Sequence, residues 1–313
     1  MLLSVLAEAF VAVLPFALGA RAAPTVTRRS AAATKITSTT VAAYRPYTYY
    51  AAAAYCGVKT TLAWDCGGNC NLSPNFTPTA AGGDGSGVQW WFTGYDSDLK
   101  SVIVSHQGTD PSKLLSVLTD LAVLQTKLNT STFPGIGSNL WVHSGFLNAH
   151  RDTISLIKTA VMNATARFNT TKVTFVGHSL GAAIALIDAA YFRTNLPTYT
   201  IAVRTYGLPR VGNADWANWV DTQLPDQVRI TNNEDPIPIV PGRFLGYNHP
   251  SGEVHAVTPL IGTQSWYSCP GQDNTSPHCS IGDTPNIFGS NILDHLGPYD
   301  GILMGLCWLN GKK

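Results

Sequence analysis

The chain has 313 residues, of which 45% are hydrophobic and only 12% charged, and its net charge is +1. A chain of this composition buries a large core, and it lacks the basic stripe with interleaved aromatics that a nucleic-acid partner requires, so no such partner is expected. No shift in composition marks a boundary after about residue 45, and residues 45–313 read as a single domain.

The chain opens with "MLLSVLAEAFVAVLPFALGARAAP", an apolar run broken by Glu8 and Pro15 and followed by Ala20, Ala22 and Ala23. It is too short and interrupted to span a membrane, and residues 1–23 read as a secretory signal. Residues 24–44 are mostly Ala, Thr and Ser around the dibasic pair Arg28–Arg29. Such a stretch has too little apolar surface to order itself and reads as a removable pro-segment. An even six cysteines, at 56, 66, 70, 269, 279 and 307, agree with export and point to disulfides. Cys66-x-x-x-Cys70 is not answered by a second pair at ligand spacing, so no metal is expected. Asn71, Asn75, Asn129, Asn163, Asn169 and Asn274 each begin an Asn-x-Ser/Thr glycosylation signal.

Apolar runs then alternate with helical patterns. Val88–Phe92, Val102–Val104, Val173–Val176, Ile201–Tyr206, Val228–Thr231 and Glu253–Val257 read as strands. The stretch "FLNAHRDTISLIKTAVMNATARF" sets Leu147, Ile154, Ile157, Val161 and Ala164 near one helical face. The alternation predicts an α/β fold with a parallel sheet. No further segment is long and apolar enough to cross a membrane. Asp110-Pro111 is a helix-start signal, after which Leu114, Val117, Leu118, Leu121 and Leu124 fall along one stripe. That stripe suits either a core helix or a mobile cover.

"VTFVGHSLGAAIALIDAA" begins as a buried strand and ends as a helix, with Gly177-His178-Ser179-Leu180-Gly181 at the bend. Flanking glycines permit a turn tight enough to expose Ser179 at the top of the sheet. Its hydroxyl then lies near the positive end of a helix, and Leu180 can offer a free backbone N–H to an oxyanion. A nucleophilic serine needs a base and an orienting acid, which in this kind of domain follow it in the order acid, then histidine. In "VRITNNEDPIPIVP", Asp235 stands at a strand end before Pro236, whereas Asp215, Asp221 and Asp226 read as surface charges. His249, His255, His278 and His295 follow. His295, in the late loop "SNILDHLGPYDG", is preferred to His249 or His255, and the adjacent Asp294 reads as a brace for that loop.

These residues carry a resemblance. The motifs "VIVSHQGT", "WVHSGFLNAH", "VTFVGHSLGAA", "RTYGLPRVGNADWANWV", "RITNNEDPIPIVP", "LGYNHPSGEVH" and "DHLGPYDG", in that order between residues 102 and 301, resemble those of the fungal class 3 triacylglycerol lipases of the Rhizomucor type. The resemblance implies an α/β-hydrolase fold with a mostly parallel central sheet and a helical lid. It implies Ser179, Asp235 and His295 as catalytic triad, Thr109 and Leu180 as oxyanion hole, and Leu114, Val117, Leu118 and Leu121 as the apolar face of the lid. It also implies the disulfides Cys56–Cys307, Cys66–Cys70 and Cys269–Cys279. The sequence departs from the family at His106-Gln107, where an aromatic and an Arg are usual, and at His255, where Trp or Tyr is usual. The lid's polar tether and fine substrate preference therefore do not carry over.

The expectation is a secreted serine ester hydrolase, read as a triacylglycerol lipase, that needs no cofactor and works at a lipid–water interface with no obligate protein partner. Two alternatives stand beside it: a feruloyl-type esterase of the same family, whose lids tend to be polar, and a non-catalytic lipid-binding protein that has kept the fold.

Overall fold

The computed structural model describes residues 31–114, 124–259 and 262–307. Among the described residues nine strands form one sheet in the order β1-β11-β10-β9-β8-β7-β4-β3-β2. Its centre is parallel: β4 (Ser101–His106), β7 (Lys172–His178), β8 (Thr200–Tyr206), β9 (Gln227–Asn232) and β10 (Glu253–Val257) run side by side. The margins are antiparallel, with β2 (Phe76–Gly82) and β3 (Trp91–Asp96) on one side and β11 (Ser265–Cys269) and β1 (Thr34–Lys35) on the other. A two-stranded ribbon, β5 (Gln125–Lys127) with β6 (Trp141–His143), lies apart.

Parallel strands covered on both faces must be apolar on both. In β4, Val102 and Val104 enter one core and Ile103 the other; in β7, Phe175 and Val176 divide in the same way. The first core is closed by α5 (Ser144–Arg167), α6 (Leu180–Asn195) and α7 (Ala214–Gln223). The second is closed by α1 (Ser38–Ala42) and α2 (Arg45–Ala53), with α3 (Val58–Ala63) and α4 (Gly68–Asn71) beside them. Helix α5 buries Leu147, Ile157, Val161 and Ala164 along one stripe. Helix α6 is apolar nearly all round, with small Ala182, Ala183, Ala185, Ala189 and Ala190 that let it lie close to the sheet.

The structure differs from the sequence reading at the margins. Val88–Phe92 is not a strand throughout: Asp84 accepts hydrogen bonds from the backbone N–H groups of Ser86, Gly87 and Val88, and this turn delays β3 to Trp91. Residues 34–44 are ordered, unlike the free segment expected over 24–44. Thr34 and Lys35 pair with Ser268 and Tyr267, the Thr37 hydroxyl caps α1, and Val41 is buried. Backbone pairing to an existing sheet edge orders a stretch that its own side chains could not. Residues 1–30, including the expected signal and Arg28–Arg29, lie outside the described residues. Disulfides join Cys56 to Cys307, Cys66 to Cys70 and Cys269 to Cys279. Among the described residues no helix is long and apolar enough to cross a membrane.

Candidate active site

Ser179 sits where β7 turns into α6, with φ 59° and ψ −128°. A non-glycine residue holds such a conformation only when its surroundings over-determine it, at a cost of about 1–3 kcal/mol. Here its N–H donates to the Tyr206 carbonyl (2.9 Å) and its carbonyl accepts from the Ala182 N–H (3.0 Å). The flanking glycines have no room for a side chain. A methyl at Gly177 would stand 2.2 Å from the Gly181 oxygen, and one at Gly181 would stand 2.3 Å from the His106 oxygen. Leu180 opens α6, so its N–H has no acceptor within the helix and remains available to a ligand.

Asp235 follows β9 and is buried. Its Oδ1 accepts from the Ile237 N–H (2.8 Å), and its Oδ2 accepts from Nδ1 of His295 at 2.8 Å. Because a carboxylate only accepts, Nδ1 carries the proton and Nε2 presents its lone pair. Among the described residues that buried Nε2 meets no hydrogen-bond partner. Gly207 is what admits the ring: a methyl there would stand 2.6 Å from Cε1 of His295. The structure thus joins His295 to Asp235 and sets the His295 carbonyl 2.8 Å from the ring of His178 in the serine elbow, while no hydrogen bond joins Nε2 of His295 to Ser179.

The other candidates are held elsewhere. Nε2 of His249 donates to the Pro238 carbonyl (2.8 Å), and His255 lies between Thr231 and Asp283 at 2.8 and 3.0 Å. His278 is exposed and stacks on Tyr267. Asp226 pairs with Arg204, whereas Asp221 is more than surface charge, accepting from the N–H and hydroxyl of Ser251. Asp294 braces the acid's loop, accepting from the side chain of Asn233 and the N–H of Glu234, and burial pushes its carboxyl above the usual range.

Thr109 and Leu114 line a cavity of about 80 Å³ together with Phe146, Ser179, Leu180, Pro209, Ile237 and Val240. Its walls are almost wholly apolar. A larger groove of about 620 Å³, edged by Pro241, Phe244, Leu245, Ile287 and Phe288, shares Val240 with it but holds none of the three candidate catalytic residues. Asp110 caps the short helical turn Pro111–Lys113, and Leu114 behind it is buried. Val117, Leu118 and Leu121 lie outside the described residues. Gln107 is tied to the backbone of Trp90 through both its N–H and its side-chain oxygen.

Two networks carried no local signal. His106 and His150 flank Asp188 at 2.9 and 2.6 Å in full burial; burial raises the Asp188 carboxyl, but the two imidazoles more than offset it and hold it below its usual range. Tyr55, His178 and the carbonyl of His295 form a second chain of contacts. Their members lie 38 to 123 residues apart, so neither network was legible in the sequence, although His178 stands in the serine motif and His106 at a departure from the family pattern.

Comparison with known proteins places the fold and the family. The family model for lipase (class 3) matches residues 103–245. A secreted mono- and diacylglycerol lipase of Malassezia globosa is 35% identical, covering 58% of this chain and 59% of the relative. One from Fusarium solani is 34% identical over 71% of this chain and 65% of its own length. A second from Malassezia globosa is 30% identical, covering 69% of each. The chain therefore spans 59% and 65% of the first two relatives' length. Among solved structures, the triacylglyceride lipase of Rhizomucor miehei superposes with a TM-score of 0.74 at 23% identity, over 88% of this chain and 100% of that one. The Yarrowia lipolytica lipase superposes with a TM-score of 0.73 at 28% identity, over 89% and 99%. The fold is that of the α/β-hydrolase lipases, and the chain belongs to the class 3 lipase family.

Proposed function

We propose that this chain is a secreted serine ester hydrolase that cleaves acylglycerols. The observation that carries the reading is the 2.8 Å hydrogen bond that Nδ1 of His295 donates to Asp235, with the opposite ring nitrogen unpaired among the described residues, in a site whose serine elbow is held at positive φ. In this reading Nε2 of His295 takes the proton of Ser179 as its oxygen attacks the ester carbonyl, and Asp235 stabilises the imidazolium that forms. The N–H groups of Thr109 and Leu180 hold the tetrahedral oxyanion. His295 then protonates the departing glycerol oxygen, and water releases the fatty acid by the same steps in reverse.

Acylglycerols as substrates rest on the relatives, which are named for mono- and diacylglycerols, and on the structural neighbours, which are named for triacylglycerols. The apolar cavity of about 80 Å³ beside Ser179 and Leu180 suits the first carbons of an acyl chain. Buried Leu114 lines that cavity, and the apolar sequence stripe that follows it is proposed as a lid that moves to admit substrate. Residues 1–23 are proposed as the export signal, with processing at Arg28–Arg29, which leaves β1 in the sheet.

Hydrolysis of emulsified triolein, diolein and mono-olein, with methyl ferulate as the rival substrate, tests the reading. Turnover of one or more of the acylglycerols by wild type and its loss in Ser179→Ala are expected. Turnover of methyl ferulate alone would give the feruloyl esterase, and turnover that survives in Ser179→Ala would end the assignment of the nucleophile.

A further inference from the structure

The proposed mechanism needs three parts from distant segments: the oxyanion loop at 107–109, the nucleophile at 179 and the base at 295. Direct contacts fix each part locally, yet one buried side chain touches the neighbourhood of all three. His178 precedes the serine, and its Nε2 lies 2.8 Å from the carbonyl oxygen of His295. Since a carbonyl only accepts, Nε2 carries the proton and Nδ1 is an acceptor. Nδ1 lies 2.6 Å from the hydroxyl of Tyr55. Burial keeps that phenol protonated, so it is the donor. Gly108 packs against the same phenol oxygen, and a methyl at Gly108 would stand 2.3 Å from it. The chain therefore runs from Tyr55 O–H to His178 and from His178 N–H to His295, with Gly108 of the oxyanion loop packed on the Tyr55 hydroxyl.

We propose that Tyr55 and His178 are positioning residues that register the oxyanion loop and the base against the nucleophile. This rests on the reading of Ser179 and His295 as nucleophile and base. A small displacement of a reacting group lowers the rate about 10²-fold without weakening substrate binding, because alignment and not affinity is lost. Two features suit His178 to the task. Its ring lies 4.4 Å from that of His295, where a second positive charge would oppose the imidazolium formed in the reaction. Burial, and then the neighbouring imidazole, hold His178 well below the usual histidine range, so it stays neutral. Tyr299 also donates to the His295 carbonyl, at 3.2 Å, so that oxygen keeps a donor in His178 variants and the fold is not left with an empty acceptor.

The test compares two amides. In His178→Gln the side-chain nitrogen reaches the place of Nε2 and keeps a donor to His295; in His178→Asn it reaches only the place of Nδ1. Turnover of soluble p-nitrophenyl butyrate, thermal midpoints, and labelling of Ser179 by a fluorophosphonate are measured for both, for Tyr55→Phe and for wild type. The expected result is an unchanged KM throughout, kcat within about 10-fold of wild type for His178→Gln, and a loss of about 10²-fold for His178→Asn at a matched thermal midpoint. For Tyr55→Phe, kcat falls about 10-fold. Equal kcat in the two amides, or losses that follow the thermal midpoint, would overturn the proposal. Should His178→Asn fail to fold, Tyr55→Phe decides: unchanged kcat overturns the relay and a fall in kcat alone sustains it. Failure of wild type to label at Ser179 would instead overturn the underlying assignment of the nucleophile.

Discussion

At the scale of single residues, the candidate site depends on places where a side chain is forbidden. A methyl on Gly108 would stand 2.5 Å from the His178 carbonyl oxygen and 2.8 Å from Cβ of Ser179. Gly108→Ala should therefore push the loop carrying Thr109 away from the serine and lower kcat by about 10²- to 10³-fold, the usual effect of losing one oxyanion donor. Measuring kcat with fluorophosphonate labelling as a control for folded enzyme checks this; activity near wild type would refute it. Buried histidines set a second prediction. His178 and His249 are neutral in the fold, held well below the ordinary value of 6.5 by burial and then by nearby positive groups. The unfolded chain binds more protons below that pH, so stability is complete above it and declines as pH falls, by up to about 1.4 kcal/mol per pH unit for each imidazole. His249→Gln retains a donor for Pro238 and should flatten the fall in unfolding free energy between pH 6.5 and 5. Equal slopes in the two proteins would count against it.

At the scale of elements, the central strands and the two long helices were legible because each is periodic and buried. The serine motif was legible because strand, glycine and helix signals coincide within residues 173–190. Edge elements were not. Strand β2 reads Phe-Thr-Pro-Thr-Ala-Ala-Gly and takes its form from pairing with β3, with an irregularity between Pro78 and Ala80. Strand β1 takes its form from β11. The loop between Cys269 and Cys279 gives a prediction at this scale. Asn71, Asn75, Asn129, Asn163 and Asn169 are exposed, but Asn274 is buried and its amide donates to the carbonyls of Ala31 and Pro270. A glycan on that nitrogen is incompatible with both bonds. Peptide mass mapping of the secreted protein should find carbohydrate only among the five exposed sites; occupancy at Asn274 in active protein would contradict the placement.

At the scale of the whole molecule, the Cys56–Cys307 bond closes a loop of 251 residues and fastens the stretch after His295 to the end of the N-terminal helices. Chain entropy makes such a closure worth about 5 kcal/mol at most. Replacing both cysteines by serine should lower the thermal midpoint by on the order of 10 °C, read by calorimetry. A midpoint unchanged to within a degree would show that packing alone holds the ends.

The sequence by itself determined the α/β class, the central strands, the serine elbow and an acid and histidine in the right order, since each is written in local periodicity or turn chemistry. The tertiary structure decided what the chain must fold to bring together: which histidine meets Asp235, how residues 34–44 are ordered by a sheet edge, and how Tyr55 comes against the residue before the serine. Those contacts join segments tens to hundreds of residues apart, and no local pattern encodes a meeting that only the packed sheet creates.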